Sequence, residues 1–107
     1  GFSQGGAVIL SAALARTAPL AGLIALSTYL PEAESASRVD GAVDVPVFMA
    51  HGSSDPVIPQ AVAAHSAETL RTLGLDVQWH SYPMAHQVCA EEIDALGDWL
   101  QARLGVA

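Results

Sequence analysis

The sequence predicts an α/β fold, a parallel sheet flanked by helices, and three observations point there. Helix-like and strand-like segments alternate along the 107 residues, the pattern of parallel strands joined by right-handed helical crossovers. The chain opens on Gly1-Phe2-Ser3-Gln4-Gly5-Gly6, which matches G-x-S-x-G, a sharp turn that lifts a serine off the end of a strand and feeds into a helix. Asp55 and His86 each fall in a turn that follows a strand, and Ser3 in the turn that would follow a strand expected before Gly1; in a parallel sheet such turns gather at the carboxyl edge.

Residues 4–16 read as a helix, rich in alanine, with Val8, Leu10 and Leu14 among its larger apolar residues. It is apolar nearly all round, which argues for burial against a sheet, and Thr17-Ala18-Pro19 ends it. Residues 20–27, with Leu23, Ile24 and Leu26, have the length and composition of a strand buried on both faces. Tyr29-Leu30-Pro31 closes it, and residues 32–44, carrying Glu32, Glu34, Arg38, Asp40 and Asp44, read as a solvated loop with room for one helical turn. Val45-Pro46-Val47-Phe48-Met49-Ala50 is a second strand, stopped by His51-Gly52-Ser53-Ser54-Asp55-Pro56. The pattern turns helical over residues 59–73, with Val62, Leu70 and Leu73 on one side and Gly74 placed to end it. Val77, Trp79 and Ser81 alternate with Gln78, His80 and Tyr82, which suits a third strand nearer the sheet edge. After the loop 83–88 comes a final helix whose stripe of Ile93, Leu96, Leu100 and Leu104 is expected to face the core. Glu91 and Glu92 in its first turn and Arg103 near its end complement the helix dipole.

Charge excludes some partners. Eleven acidic residues against four arginines give a net charge of −7, which disfavours nucleic acid and anionic membrane surfaces. No apolar run is long enough to span a bilayer. The single cysteine, Cys89, cannot form an internal disulfide and suits a reducing compartment, so a cytoplasmic location is expected. A homodimer is compatible with this sequence. The chain begins inside the serine turn, with no initiator methionine and no strand leading into Gly1. The expectation is that residues 1–107 are the C-terminal part of a single domain. Alone, such a piece would bare the edge of strand 20–27 and be neither stable nor active.

The order Ser, Asp, His is that of the α/β-hydrolase fold and differs from the two unrelated protease orders. A serine hydroxyl is a poor nucleophile until a histidine takes its proton, and the histidine needs a carboxylate to fix its tautomer. The Gln4 amide, opening the helix after Ser3, is placed to meet negative charge developing on an attacked carbonyl. Each residue also has a plainer reading: Ser3 as a helix N-cap, Asp55 as a turn residue before Pro56, His86 as a cap of the last helix. His51 reads as structural, His65 and His80 as surface or half-buried, and Cys89 as a small apolar filler. No H-x-x-x-H or C-x-x-C spacing suggests a metal site.

With these segments in hand, the chain resembles the phospholipase/carboxylesterase family, which includes the acyl-protein thioesterases. The matching segments are Gly1-Phe2-Ser3-Gln4-Gly5-Gly6, Leu26-Ser27-Thr28-Tyr29-Leu30-Pro31, His51-Gly52-Ser53-Ser54-Asp55-Pro56-Val57-Ile58-Pro59 and Tyr82-Pro83-Met84-Ala85-His86. The resemblance implies Ser3 as nucleophile, Asp55 as triad acid and His86 as base, with no metal or organic cofactor. It implies that the Gln4 amide is half of an oxyanion hole whose other half lies upstream, and that Thr28, Tyr29, Leu30, Val57 and Met84 contact substrate. Two residues depart from the family pattern: Thr28 stands where glycine or another small residue is usual, and Ala85 where glycine precedes the histidine. The expected activity is hydrolysis of a small-molecule carboxylic ester or acyl thioester through an acyl-enzyme. A serine peptidase of the same fold and a non-catalytic α/β binding domain are the alternatives; the opening motif is neither G-x-G-x-x-G nor a P-loop.

Overall fold

The computed structural model describes residues 1–42 and 44–105, so Val43, inside the predicted polar loop, lies outside the described residues. Its elements are α1 (Gln4–Ala13), β1 (Leu23–Leu26), a 3-10 turn (Ala33–Ser35), β2 (Val47–Gly52), α2 (Gln60–Thr72), β3 (Val77–Tyr82) and α3 (Ala90–Leu104). The strands form one parallel sheet in the order β1-β2-β3, with Leu23 opposite Val47 and Val47 opposite Val77. The predicted α/β alternation is therefore the architecture of the chain.

Side chains alternate across a strand, so β2, buried along its whole length, feeds two cores. Val47 and Met49 pack with Leu10 from α1 and Leu70 from α2, while Phe48 and Ala50 pack with Trp99 from α3. Each such large side chain contributes roughly 1.5–3 kcal/mol when taken out of water. The sheet is thus covered by α1 and α2 on one face and by α3 on the other.

Several boundaries differ from expectation, each for a local reason. Helix α1 stops at Ala13 rather than at residue 16 because the next amides bond three residues back and the Leu14 carbonyl is taken by the Val39 N–H at 3.0 Å. Strand β2 starts at Val47 because Pro46 has no N–H for the ladder; its carbonyl instead accepts the Leu23 N–H at 2.8 Å, which is where β1 begins. Strand β2 then runs on to Gly52, paired with Tyr82. The edge of β1 expected to be bare is partly paired by the chain's own start. Leu26 N–H donates to the Gly1 carbonyl and Ser3 N–H to the Leu26 carbonyl, both at 2.9 Å.

The face of α3 is a further correction. Ile93 and Leu104 are exposed, and the residues turned inward are Glu92 and Trp99, with Ala95, Leu96 and Leu100 beside them. The helix is rotated by about one residue from the predicted stripe, because Trp99 fills the space over Phe48 at a ring separation of 5.8 Å. Cys89 stands at the N-cap of α3 rather than in a core. Its N–H donates to Glu92 Oε1 at 3.4 Å, while the buried Glu92 Oε2 has no partner.

Burial raises the Glu92 pKa above its ordinary value of 4.5, the Cys89 N–H opposing only in part. The native state therefore holds this proton more tightly than the unfolded chain. The contribution of Glu92 to stability is therefore expected to be lost as pH rises from the unfolded value through the raised folded one. Glu92→Gln, which cannot ionise, should flatten that slope; urea midpoints of both proteins at pH 4, 6 and 8 test it. Parallel pH profiles would show that Glu92 is not the group responsible.

Candidate active site

Ser3 sits at the junction of the Gly1–Ser3 extension and α1 with φ 55° and ψ −121°. A non-glycine residue held there carries about 1–3 kcal/mol of strain, tolerated only where the surroundings enforce it. The enforcement is visible on both sides of the residue. Its N–H is held by Leu26, and its carbonyl accepts the Thr28 hydroxyl at 2.6 Å and the Ala7 N–H at 3.2 Å. Of the two glycines that flank Ser3 at two positions' distance, one is sterically required. A Cβ on Gly1 would lie 2.5 Å from the Gly5 carbonyl carbon, whereas one on Gly5 would meet nothing. The second tight position is Gly6, where a Cβ would come within 2.5–2.7 Å of three Thr28 side-chain atoms.

Asp55 follows β2. Its Oδ1 accepts the N–H groups of Val57 at 2.8 Å and Ile58 at 2.9 Å, and its Oδ2 lies 2.6 Å from His86 Nδ1. The carboxylate is wholly buried. Burial alone would raise its pKa, but the bonds from Ile58, His86 and Val57 and the electrostatic influence of His86 together hold it below the ordinary carboxylate value. Asp55 is therefore ionised at neutral pH.

His86 follows β3, with Nε2 at 3.0 Å from Ser3 Oγ. An ionised carboxylate only accepts, so Nδ1 carries the proton and the lone pair of Nε2 is free to accept from the serine hydroxyl. The histidine loop is packed on Gly52, where a Cβ would fall 2.2 Å from the Met84 oxygen and 2.3 Å from that of Ala85. Ser54 N–H donates to the Met84 carbonyl at 3.1 Å and Ser27 Oγ to the Gln87 carbonyl at 3.3 Å. Ala85 is not among the residues with positive φ, so alanine in place of the usual glycine costs the backbone nothing there. Chemically, the arrangement is a hydroxyl, a base and a buried carboxylate joined in one hydrogen-bonded chain.

The sequence profile of the phospholipase/carboxylesterase family matches residues 1–104. The chain belongs to that family. It is 41% identical over 109 residues to acyl-protein thioesterase 1 of Neurospora crassa, with 97% of this chain and 44% of the relative covered. It is 42% identical over 108 residues to acyl-protein thioesterase 1 of Mycosarcoma maydis, covering 94% and 45%. Among solved structures, Zea mays acyl-protein thioesterase 2 superposes with a TM-score of 0.82 at 26% identity, covering 97% of this chain and 54% of that one. The chain spans about half the length of the curated relatives it matches.

Within this phospholipase/carboxylesterase chain the other predicted positions are dispersed. Gln4 opens α1, where main-chain N–H groups have no carbonyl a turn earlier to bond. Thr28 is 1% exposed with its hydroxyl on the Ser3 carbonyl, so it braces the serine turn instead of facing an open pocket. Met84 is buried, Tyr29 half-buried and Val57 exposed. Leu30 lines a groove of about 740 Å³ with Ala33, Ala61, Val62 and His65, a lining that contains neither Ser3 nor His86.

Two contacts escaped the sequence. The Phe2 ring lies 5.0 Å from that of His86, covering one side of it. The buried His51 donates Nε2–H to the Ile58 carbonyl at 2.7 Å and lies 3.4 Å from Asp55 Oδ2, so its structural role is to brace the Asp55 loop. Only the proximity of His51 to Asp55 in the chain hinted at this. Among the described residues, no three His, Cys, Asp or Glu side chains gather where they could hold a metal. None of the described helices is long and apolar enough to cross a membrane.

Proposed function

We propose that the protein is a serine hydrolase acting on carboxylic esters or acyl thioesters, with Ser3 as nucleophile, His86 as base and Asp55 as triad acid. Residues 1–107 belong, on this reading, to one α/β-hydrolase domain. The observation that carries it is the hydrogen-bonded chain Ser3–His86–Asp55, in which the tautomer leaves Nε2 facing the hydroxyl. As Ser3 Oγ attacks the substrate carbonyl, its proton passes to His86 Nε2, and the buried Asp55 carboxylate stabilises the imidazolium. The Gln4 N–H donates to the oxyanion. Collapse of the tetrahedral intermediate breaks the bond to the alcohol or thiol, which takes the proton from His86 and leaves an acyl-enzyme. Water, deprotonated by His86, attacks that ester; the acid departs and Ser3 recovers its proton. No step calls for a metal or organic cofactor.

The names of the relatives support the thioester side of this reading. A cytoplasmic location is part of the same proposal, resting on the lone cysteine; a homodimer is compatible with it. The test is a fluorophosphonate probe on the full-length native protein, followed by peptide mapping. Stoichiometric modification of Ser3, blocked by prior denaturation, is expected. Modification of another residue, or none, would remove Ser3 from the role.

A further inference from the structure

Beyond the three reacting residues, consecutive hydroxyls at the end of β1 reach the two loops that carry nucleophile and base. Ser27 is wholly buried and holds φ at 51°, a left-handed conformation that a serine adopts only under constraint. Its N–H is fixed on the Ala50 carbonyl at 2.9 Å. From this bend Ser27 Oγ donates to the carbonyl of Gln87, the residue after the base, at 3.3 Å. Thr28 Oγ1 donates to the carbonyl of Ser3 itself at 2.6 Å, and the Thr28 methyl occupies the space that a Cβ on Gly6 would need. Both acceptors are main-chain oxygens, so the catalytic side chains stay free.

We infer that Ser27 and Thr28 form a two-hydroxyl clamp that sets the separation between Ser3 Oγ and His86 Nε2. The inference rests on the reading of Ser3 and His86 as nucleophile and base. The two residues touch neither of the reacting atoms, so they are positioning residues. Their effect is geometric: the elbow carbonyl and the carbonyl beside His86 are tied to one short rigid segment, and a displacement of about 1 Å at a reacting pair costs up to ~10²-fold in rate. Thr28 carries the greater share, since its bond is the shorter and its methyl also packs on α1.

The clamp predicts a particular pattern in the full-length protein. Thr28→Val keeps the shape and removes the donor. It should lower kcat for a short-chain aryl ester by roughly tenfold and slow fluorophosphonate labelling in proportion, with KM within about twofold. Ser27→Ala should cost about two- to fivefold, through the longer bond. Thr28→Ser, which restores the hydroxyl without the methyl, should recover most of the kcat. If Thr28→Val folds poorly, Thr28→Ser against Thr28→Ala makes the same comparison between small residues that differ in the donor. Rates equal to the parent's in both Thr28→Val and Ser27→Ala, or a loss not recovered by Thr28→Ser, would overturn the clamp even if melting temperatures fell. Failure of the unsubstituted protein to label at Ser3 would overturn the nucleophile reading and the clamp with it; normal parent labelling with unchanged variants would overturn the clamp alone.

Discussion

Ser3→Ala in the full-length protein is expected to abolish turnover of a short-chain aryl ester while leaving the melting temperature nearly unchanged. The substitution removes the attacking oxygen and little volume, and it relieves none of the main-chain bonds that hold the turn. Asp55→Asn and His86→Ala should each reduce kcat by about three to four orders of magnitude or more, through loss of tautomer control and of proton transfer respectively. Asp55→Asn keeps an Oδ1 acceptor for the Val57 and Ile58 N–H groups but turns a donor NH2 toward the His86 Nδ1–H, so its stability should drop as well. Asp44→Asn is the control: Asp44 is exposed and paired with Arg38 at 2.9 Å, and its loss should leave kcat within about twofold, as for an ordinary surface pair. A few-fold loss in Ser3→Ala, or a larger loss in Asp44→Asn than in Asp55→Asn, would show that the roles are misassigned.

Gly52→Ala is expected to be damaging without touching any reacting atom. The new methyl would lie 2.2–2.3 Å from two carbonyl oxygens of the histidine loop, and main-chain atoms cannot rotate aside as a flexible side-chain tip can. The loop must lift, taking His86 from its 3.0 Å contact with Ser3. Overpacking of this kind costs about 1–3 kcal/mol, and the displaced base should lower kcat by about 10²-fold or more. Denaturant midpoint and kcat measured on the same preparation check both parts. Retention of the parent kcat would mean that the loop is held elsewhere.

The juxtaposition of Ser3, Asp55 and His86 was legible because it depends on topology more than on packing. Once the strands are parallel, every strand-end turn lies at one edge, and residue types in those turns suffice to nominate a hydrogen-bonded chain. What escaped depends on neighbours distant in sequence. Thr28 reads as a pocket residue by position, yet its direction is decided by the Ser3 carbonyl and the absent Cβ of Gly6. The inward face of α3 looked like Ile93 and Leu104, but Trp99 and the buried Glu92 took that side; no periodicity argument turns a glutamate inward. Strand β2 read as beginning at residue 45, although Pro46 already carried the reason that it begins later. His51 reads as structural, but its bond to Ile58 spans a loop whose shape the sequence does not state.

The Ser3–His86 bond joins positions 83 residues apart, and the Asp55–His86 bond positions 31 apart. Contacts of such long sequence separation exist only where the intervening chain is ordered, because its loop-closure entropy opposes them. A nascent or partly unfolded molecule would accordingly hold its serine without an acceptor for its proton, and be chemically inert. With Ser3 as the proposed nucleophile, reactivity there would count the molecules whose sheet is complete, which would make covalent labelling a gauge of folding yield as much as of catalysis.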